Sequence, residues 1–236
     1  MTIKPLKFYH PFLILLLLQF ACSSPLEEVE IDDFNLINVS INVIKEVSSN
    51  GEIEDVVKLG IHDKNWKGFE LKKGTVHVNG QKMVYDNRFL DNAYRSDLKI
   101  TPNTSYEFVI VLSNGESASS TLKTPAISVN SIHYNKEIDL NENYTISWDK
   151  VNQPVLLIFF LDDQINAKSP SYYLNKIFNG SAGHYIVNAE DMKHYPHATR
   201  CIFELNYLGE KQLSTKFRNS VATVKITYIA SDVTLK

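Results

Sequence analysis

Tyr106-Glu107-Phe108-Val109-Ile110-Val111-Leu112, entered through Ile100-Thr101-Pro102-Asn103-Thr104-Ser105, is the stretch that decides the fold. Tyr106, Phe108, Ile110 and Leu112 alternate with Glu107, Val109 and Val111. Successive side chains of a strand point to opposite faces, so this spacing predicts a strand with one face in a core. Asn114-Gly115 then predicts a turn between paired strands, because Asn and Gly accept the positive φ that tight hairpins require. Ser117–Lys123 is the return strand, and Thr124-Pro125 breaks the pattern.

The same period of two extends outward in both directions. Ile37, Val39, Ile41 and Val43 alternate with Asn38, Ser40 and Asn42, and residues 56–61 are also strand-like. Thr75–Val78 meets Asn79-Gly80, and Lys82–Tyr85 follows, a second hairpin. After Pro125 the pattern restarts with Ile127, Val129 and Ile132. Tyr144–Trp148 is a strand, and Val155–Leu161 is an unbroken apolar run that predicts a strand buried on both faces. Tyr185–Val187, Cys201–Tyr207 and Val221–Ile229 are further strands; Leu208-Gly209-Glu210 is a turn, and Ala189–Lys193 is one helical turn limited by Pro196. Many short strands with turn signals and little helical periodicity define an all-β chain of sandwich or barrel type. The break at Thr124-Pro125 divides it into two β-sandwiches in tandem, residues 35–124 and 126–236.

Ile100-x-Pro102-x-Thr104-x-Tyr106 resembles the fibronectin type III pattern at the corner between two strands. That resemblance implies a tyrosine whose ring packs into the core and whose hydroxyl bonds back to the upstream backbone. Ser147-Trp148 resembles the core tryptophan of the same immunoglobulin-like family in the second unit.

The N-terminus carries a different signal. Lys4 and Lys7 precede the apolar run Phe12–Ala21, which ends at Cys22. A basic start and a short apolar core match a secretory signal peptide, residues 1–21. The run is far shorter than the roughly 20 residues a bilayer-spanning helix needs. Leu18-Gln19-Phe20-Ala21-Cys22 resembles the lipobox of Bacteroidota lipoproteins, which implies cleavage before Cys22 and lipid on its thiol. Ser23 in place of an aspartate resembles the pattern of lipoproteins sent to the outer membrane, facing periplasm or cell surface. Residues 22–34, with Glu27, Glu28, Glu30, Asp32 and Asp33, then read as an acidic tether.

Of 236 residues, 215 remain after such cleavage, and 44% of the chain is apolar, enough for real cores. Lys4 and Lys7 leave with the signal, so 24 basic side chains fall to 22 against 27 acidic, a net charge of −5. That balance argues against nucleic acid or an anionic membrane face as the main partner. With Cys22 lipidated, Cys201 has no disulfide partner and reads as a buried thiol.

No constellation for catalysis assembles in the sequence. Gly180-Ser181-Ala182-Gly183 is one residue short of a nucleophile elbow, and zinc and phosphate-loop motifs are missing. His194 and His197 lack a third ligand, so neither metal nor cofactor is expected. The segment 166–197 is long for a connection, and it is rich in aromatic residues. Tyr172, Tyr173, His184, Tyr185, Tyr195 and His197 are its candidate ligand-binding side chains, suited to stacking on sugars or gripping a protein. Covering the open edge of the second sandwich is the other reading of the same rings. The whole chain resembles an outer-membrane lipoprotein with tandem fibronectin type III-like domains. It is expected to be a non-enzymatic binding or adhesion module for a glycan, peptide or protein, or alternatively an accessory lipoprotein docked on a larger envelope complex, with a hydrolase as the third reading.

Overall fold

The computed structural model describes residues 28–87, 92–127, 132–162, 171–179 and 183–236. The signal peptide, Cys22 and residues 23–27 therefore lie outside the described residues, as do residues 163–170 and Gly180, Ser181 and Ala182.

The first ten strands are β1 (Glu28–Val29), β2 (Asn38–Ser48), β3 (Ile53–His62), β4 (Glu70–Leu71), β5 (Thr75–Val78), β6 (Gln81–Lys82), β7 (Val84–Asp86), β8 (Ala93–Ser96), β9 (Ser105–Val111) and β10 (Ser117–Lys123). The others are β11 (His133–Tyr134), β12 (Glu137–Ile138), β13 (Tyr144–Ser147), β14 (Val155–Asp162), β15 (Tyr172–Phe178), β16 (His184–Val187), β17 (Arg200–Leu208), β18 (Glu210–Gln212) and β19 (Asn219–Leu235). One helical turn, Ala189–Met192, precedes β17.

The chain is all-β. A long sheet runs β15-β14-β17-β19-β2-β3-β8-β7, with β12 paired to β19 at its side. Two smaller sheets, β18-β10-β9-β5-β6 and β11-β13-β16, supply the opposing layers. The first core lies between β2/β3 and β5/β9/β10: Val39, Ile41, Val43, Leu59 and Ile61 face Val76, Val78, Phe108, Ile110 and Leu122. The second lies between β14/β17 and β13/β16, around Phe159, Phe203, Leu205, Tyr207, Tyr144 and Ile146.

The corner forms as the resemblance implies. Tyr106 is 2% exposed. Its hydroxyl accepts a hydrogen bond from Thr101 N–H at 3.0 Å and donates to the Lys99 carbonyl at 3.3 Å. Asn103 takes φ 53° at the turn. Thr124, also buried, donates to the Thr101 carbonyl at 2.7 Å and accepts from Thr104 N–H at 2.9 Å. Residue 124 thus closes the same corner that Tyr106 opens.

Four expectations need correction. The boundary at residue 124/126 does not separate the halves completely. β18 pairs with β10, β19 runs parallel to β2 from Asn219 to Ile229, and Phe217 and Val224 pack in the first core. Without β19, strand β2 would be an open edge with apolar residues beside it, a state that proteins avoid. Gly209 lies where the chain crosses back: a Cβ there would collide with the Lys123 carbonyl oxygen.

The acidic tether is also shorter than expected. Glu28-Val29 pairs with Glu70-Leu71, Ile31 packs on the first core, and Phe34 is buried in a 3-10 turn, residues 34–36. The apolar members of this stretch outweigh its carboxylates, which stay at the surface. Strand β14 is buried on one face only: Leu156, Ile158 and Phe160 are half-exposed on the other, since among the described residues no layer covers that side of the sheet. The turns differ as well. Asn79 and Gly80 both take positive φ, as a two-residue hairpin requires. At 114–115 only Gly115 does, which makes a three-residue loop with a left-handed third residue.

Candidate functional site: the open edge of the second sandwich

β15 ends the long sheet and β16 ends the small one, so among the described residues no strand bridges the two sheets at this edge of the second sandwich. The register Phe159↔Leu174 and Val155↔Phe178 turns Tyr172, Leu174, Lys176 and Phe178 toward the core side. A row of rings lines this edge. Tyr172 lies 6.1 Å from Phe159 and 5.5 Å from Tyr195, centroid to centroid. Phe178 lies 5.4 Å from Trp148 and 5.6 Å from Tyr185. Lys176 Nζ stands 4.8 Å from the Tyr185 centroid, within cation–π range. Burial, followed by the Asp191 charge, raises the Tyr172 hydroxyl above its ordinary pKa, so it stays a neutral donor and acceptor.

The six candidate residues fall in four places. Tyr172, Tyr185 and Tyr195 come together in this seam, each half-buried. Tyr173 points to the opposite face of the long sheet and is 58% exposed. His184 pairs with Ser147 on the outer face of the small sheet, away from Tyr185. His197 is exposed in the turn beyond the helix. Sequence reasoning counts Phe178 among the aromatic residues of segment 166–197 but not among its binding candidates, and it misses Lys176 and Trp148 as members of the seam. The signal for them was the alternation Tyr172, Leu174, Phe178, which Lys176 interrupts. An inward charge on an edge strand also discourages pairing with another chain's edge.

The far side of the same sheet carries the second notable surface. Phe160 is flanked by Tyr173 and Ile202, and Leu156 by Ile177. Ile177 is 60% exposed. Leu156, Ile158, Phe160 and Ile202 are half-buried, so aliphatic and aromatic groups form a shallow apolar face.

Other groups were placed by the fold away from this edge. Among the described residues no three His, Cys, Asp or Glu side chains gather to hold a metal ion. Burial pushes the Cys201 thiol up to about 12, which keeps it protonated. Ser40 Oγ and His62 Nε2 are 2.8 Å apart on the outer face of β2 and β3. Burial lowers the imidazole pKa against the opposing pull of the Trp66 carbonyl and Asp63. The pair supports the Trp66 ring, 5.3 Å from His62. An open groove of about 510 Å³ between β10 and residues 212–216 is lined by Ser117, Ser119, Thr121, Gln212, Ser214 and Thr215.

No protein-family model and no curated protein matches the chain. Among solved structures it is similar to the chicken CNTN1 FN1–FN3 domains, with 14% sequence identity and a TM-score of 0.20. The match covers 75% of this chain and 62% of that structure, so the chain spans less than two thirds of its length.

Proposed function

We propose that this protein is a lipid-anchored, non-catalytic binding module of the cell envelope, tethered at Cys22 and gripping a peptide, protein or glycan through the open edge of its second sandwich. The observation that carries the binding reading is the seam of Tyr172, Tyr185 and Tyr195 with Lys176 over Tyr185, which is half-open to solvent. Rings on a rigid strand lose little entropy on contact and offer both apolar area and a polar tip. The lipid anchor is supported by the basic start, the short apolar run and the cysteine at its end.

Docking onto a larger envelope complex is the second reading. It is favoured by the apolar outer face with Tyr173 and Ile177 at its rim, because contiguous exposed apolar surface marks interaction sites. One pair of variants separates the two. Tyr172→Ala with Tyr195→Ala should abolish ligand capture on glycan arrays and in cross-linked pull-downs from envelope extracts. Tyr173→Asp with Ile177→Asp should release a docked partner and spare the seam's ligand. Capture unaffected by either pair refutes both surfaces.

A further inference from the structure

Three hairpin loops in this protein are built alike. In residues 48–52, Ser48 N–H bonds the Glu52 carbonyl at 2.9 Å and Gly51 N–H bonds the Ser48 carbonyl at 2.9 Å. In residues 112–116, Leu112 N–H bonds the Glu116 carbonyl at 2.9 Å and Gly115 N–H bonds the Leu112 carbonyl at 3.0 Å. In residues 63–67, Asp63 N–H bonds the Lys67 carbonyl at 3.0 Å and Trp66 N–H bonds the Asp63 carbonyl at 3.1 Å. The third loop residue is left-handed in all three: φ is 87° at Gly51, 84° at Gly115 and 63° at Trp66. Glycine fills that position twice because it alone has no steric cost there. At residue 66 the chain places its largest side chain in the strained position instead, and leaves it 45% exposed.

The loop is held rigidly for this. Asp63 Oδ1 accepts from Asn65 N–H at 2.8 Å and from Lys67 N–H at 2.9 Å. His62, bonded to Ser40, backs the indole. Strain in a bulky residue that persists at an exposed tip points to a use for that residue.

The surroundings indicate what the ring meets. The loop follows His62, which pairs with Asn38 at the start of β2, and Asn38 pairs with Asn219 at the start of β19. Leu36, 52% exposed, precedes Asn38 at this same end of the sheet. Lys64 and Lys67 flank Trp66 in sequence with Asp63, Asp33 precedes Leu36, and Arg218, whose N–H bonds the Ile37 carbonyl at 3.1 Å, adds a cation at the same end. The chain also enters the fold here. β1 runs parallel to β4 in the register Glu28↔Glu70, so the N-terminal end of β1 lies on the side where Phe69 joins β4 to the 63–67 loop. Only residues 23–27 separate Glu28 from Cys22, and six peptide steps reach at most about 20 Å.

We infer that Trp66, with Leu36 at the same end of the sheet, is a membrane-interface contact: it inserts into the headgroup region of the bilayer that holds the Cys22 lipid and fixes the body's orientation on that surface. This inference rests on lipidation of Cys22. Tryptophan favours the boundary between headgroups and acyl chains, and neighbouring Lys and Arg side chains reach lipid phosphates there. A short tether keeps this loop within reach of the bilayer and sets the aromatic seam in the other half on the same rigid sheet.

The chain has two tryptophans, and Trp148 is buried, which makes fluorescence a direct test. The full-length lipoprotein is reconstituted into phosphatidylcholine vesicles with and without brominated acyl chains, and Cys22 is checked for lipid by mass spectrometry on the same sample. The expected result is a blue shift and bromine quenching of the Trp66 component. Trp66→Gly removes both while keeping or raising the urea midpoint, because glycine relieves the strain; Trp66→Asn, which also tolerates this conformation, serves as the second variant. A lipidated protein whose Trp66 is unquenched overturns the inference and leaves the anchor standing, all the more so if soluble oligosaccharides shift its emission instead. Absence of lipid on Cys22 overturns both.

Discussion

Replacing Tyr106 by phenylalanine removes one oxygen atom from the corner that organises the first sandwich. The ring and its packing against the first core are unchanged. The hydroxyl makes two hydrogen bonds, accepting from Thr101 N–H at 3.0 Å and donating to the Lys99 carbonyl at 3.3 Å. A net intramolecular hydrogen bond is worth about 0.5–1.5 kcal/mol, and a donor stranded without a partner costs about 1–3 kcal/mol. Thr101 and Lys99 lie at the surface, so water replaces the hydroxyl in part, and the 3.3 Å bond contributes little. The expected loss is therefore about 1 kcal/mol, or about 2–4 °C in melting temperature for a chain of this size. Urea unfolding of the variant should show a lower midpoint and an unchanged slope. Thr124→Val should cost a similar amount, and the double variant should cost less than the sum, because both hydroxyls secure Thr101. A midpoint identical to wild type for Tyr106→Phe, beside a collapse for Tyr106→Ala, would refute the reasoning: the ring alone would then hold the corner.

Three further outcomes are expected. The Cys201 thiol, buried and pushed up to about 12, should resist alkylation at pH 8 in native protein and react at once in urea; fast native labelling would contradict its position on β17. Asp232 is opposed by burial, yet hydrogen bonds from Lys136, Tyr134 and Ser49 hold its carboxyl down at about 2. A depressed folded pKa contributes stability that is complete above the unfolded value near 4 and is lost as pH falls toward 2, so Asp232→Asn should flatten that acid limb of a melting-temperature profile, and an unchanged limb would count against the network. Gly209→Ala drives a methyl against the Lys123 carbonyl and should destabilise by about 1–3 kcal/mol, read by calorimetry; a neutral effect would mean that the crossing of β17 into β18 is looser than described.

Local grammar made much of this fold legible. The alternation through Tyr106–Leu112 and Ile37–Val43 reported strands and the buried face correctly, because one-sided burial imposes a period of two. The corner was legible for the same local reason. What escaped depended on distant partners. Nothing near Asn219 in sequence announces that β19 extends for 17 residues and joins both halves, since its partners lie in β2 and β17. β15 was hidden by Lys176, which occupies an inward position that a strand normally gives to an apolar residue. Val29, Ile31 and Phe34 were hidden by the carboxylates around them. In the candidate site, Tyr172, Tyr185 and Tyr195 were found because aromatic density is visible in the sequence. Their separation from Tyr173, His184 and His197 follows from strand phase, which the sequence alone did not assign. Trp66 left only the hint of a tryptophan between Asn65 and Lys67; its strained loop needed coordinates.

The proposed function rests most heavily on Cys22, because a lipid there would set both the location of the body and the surface it faces. Intact mass and N-terminal peptide mapping of the mature protein, with Cys22→Ser beside it, test this directly. The account predicts a mature chain that begins at Cys22 and carries covalent lipid, and a variant that carries none. A mature chain that retains residues 1–21, or that begins elsewhere with an unmodified thiol at Cys22, would contradict it.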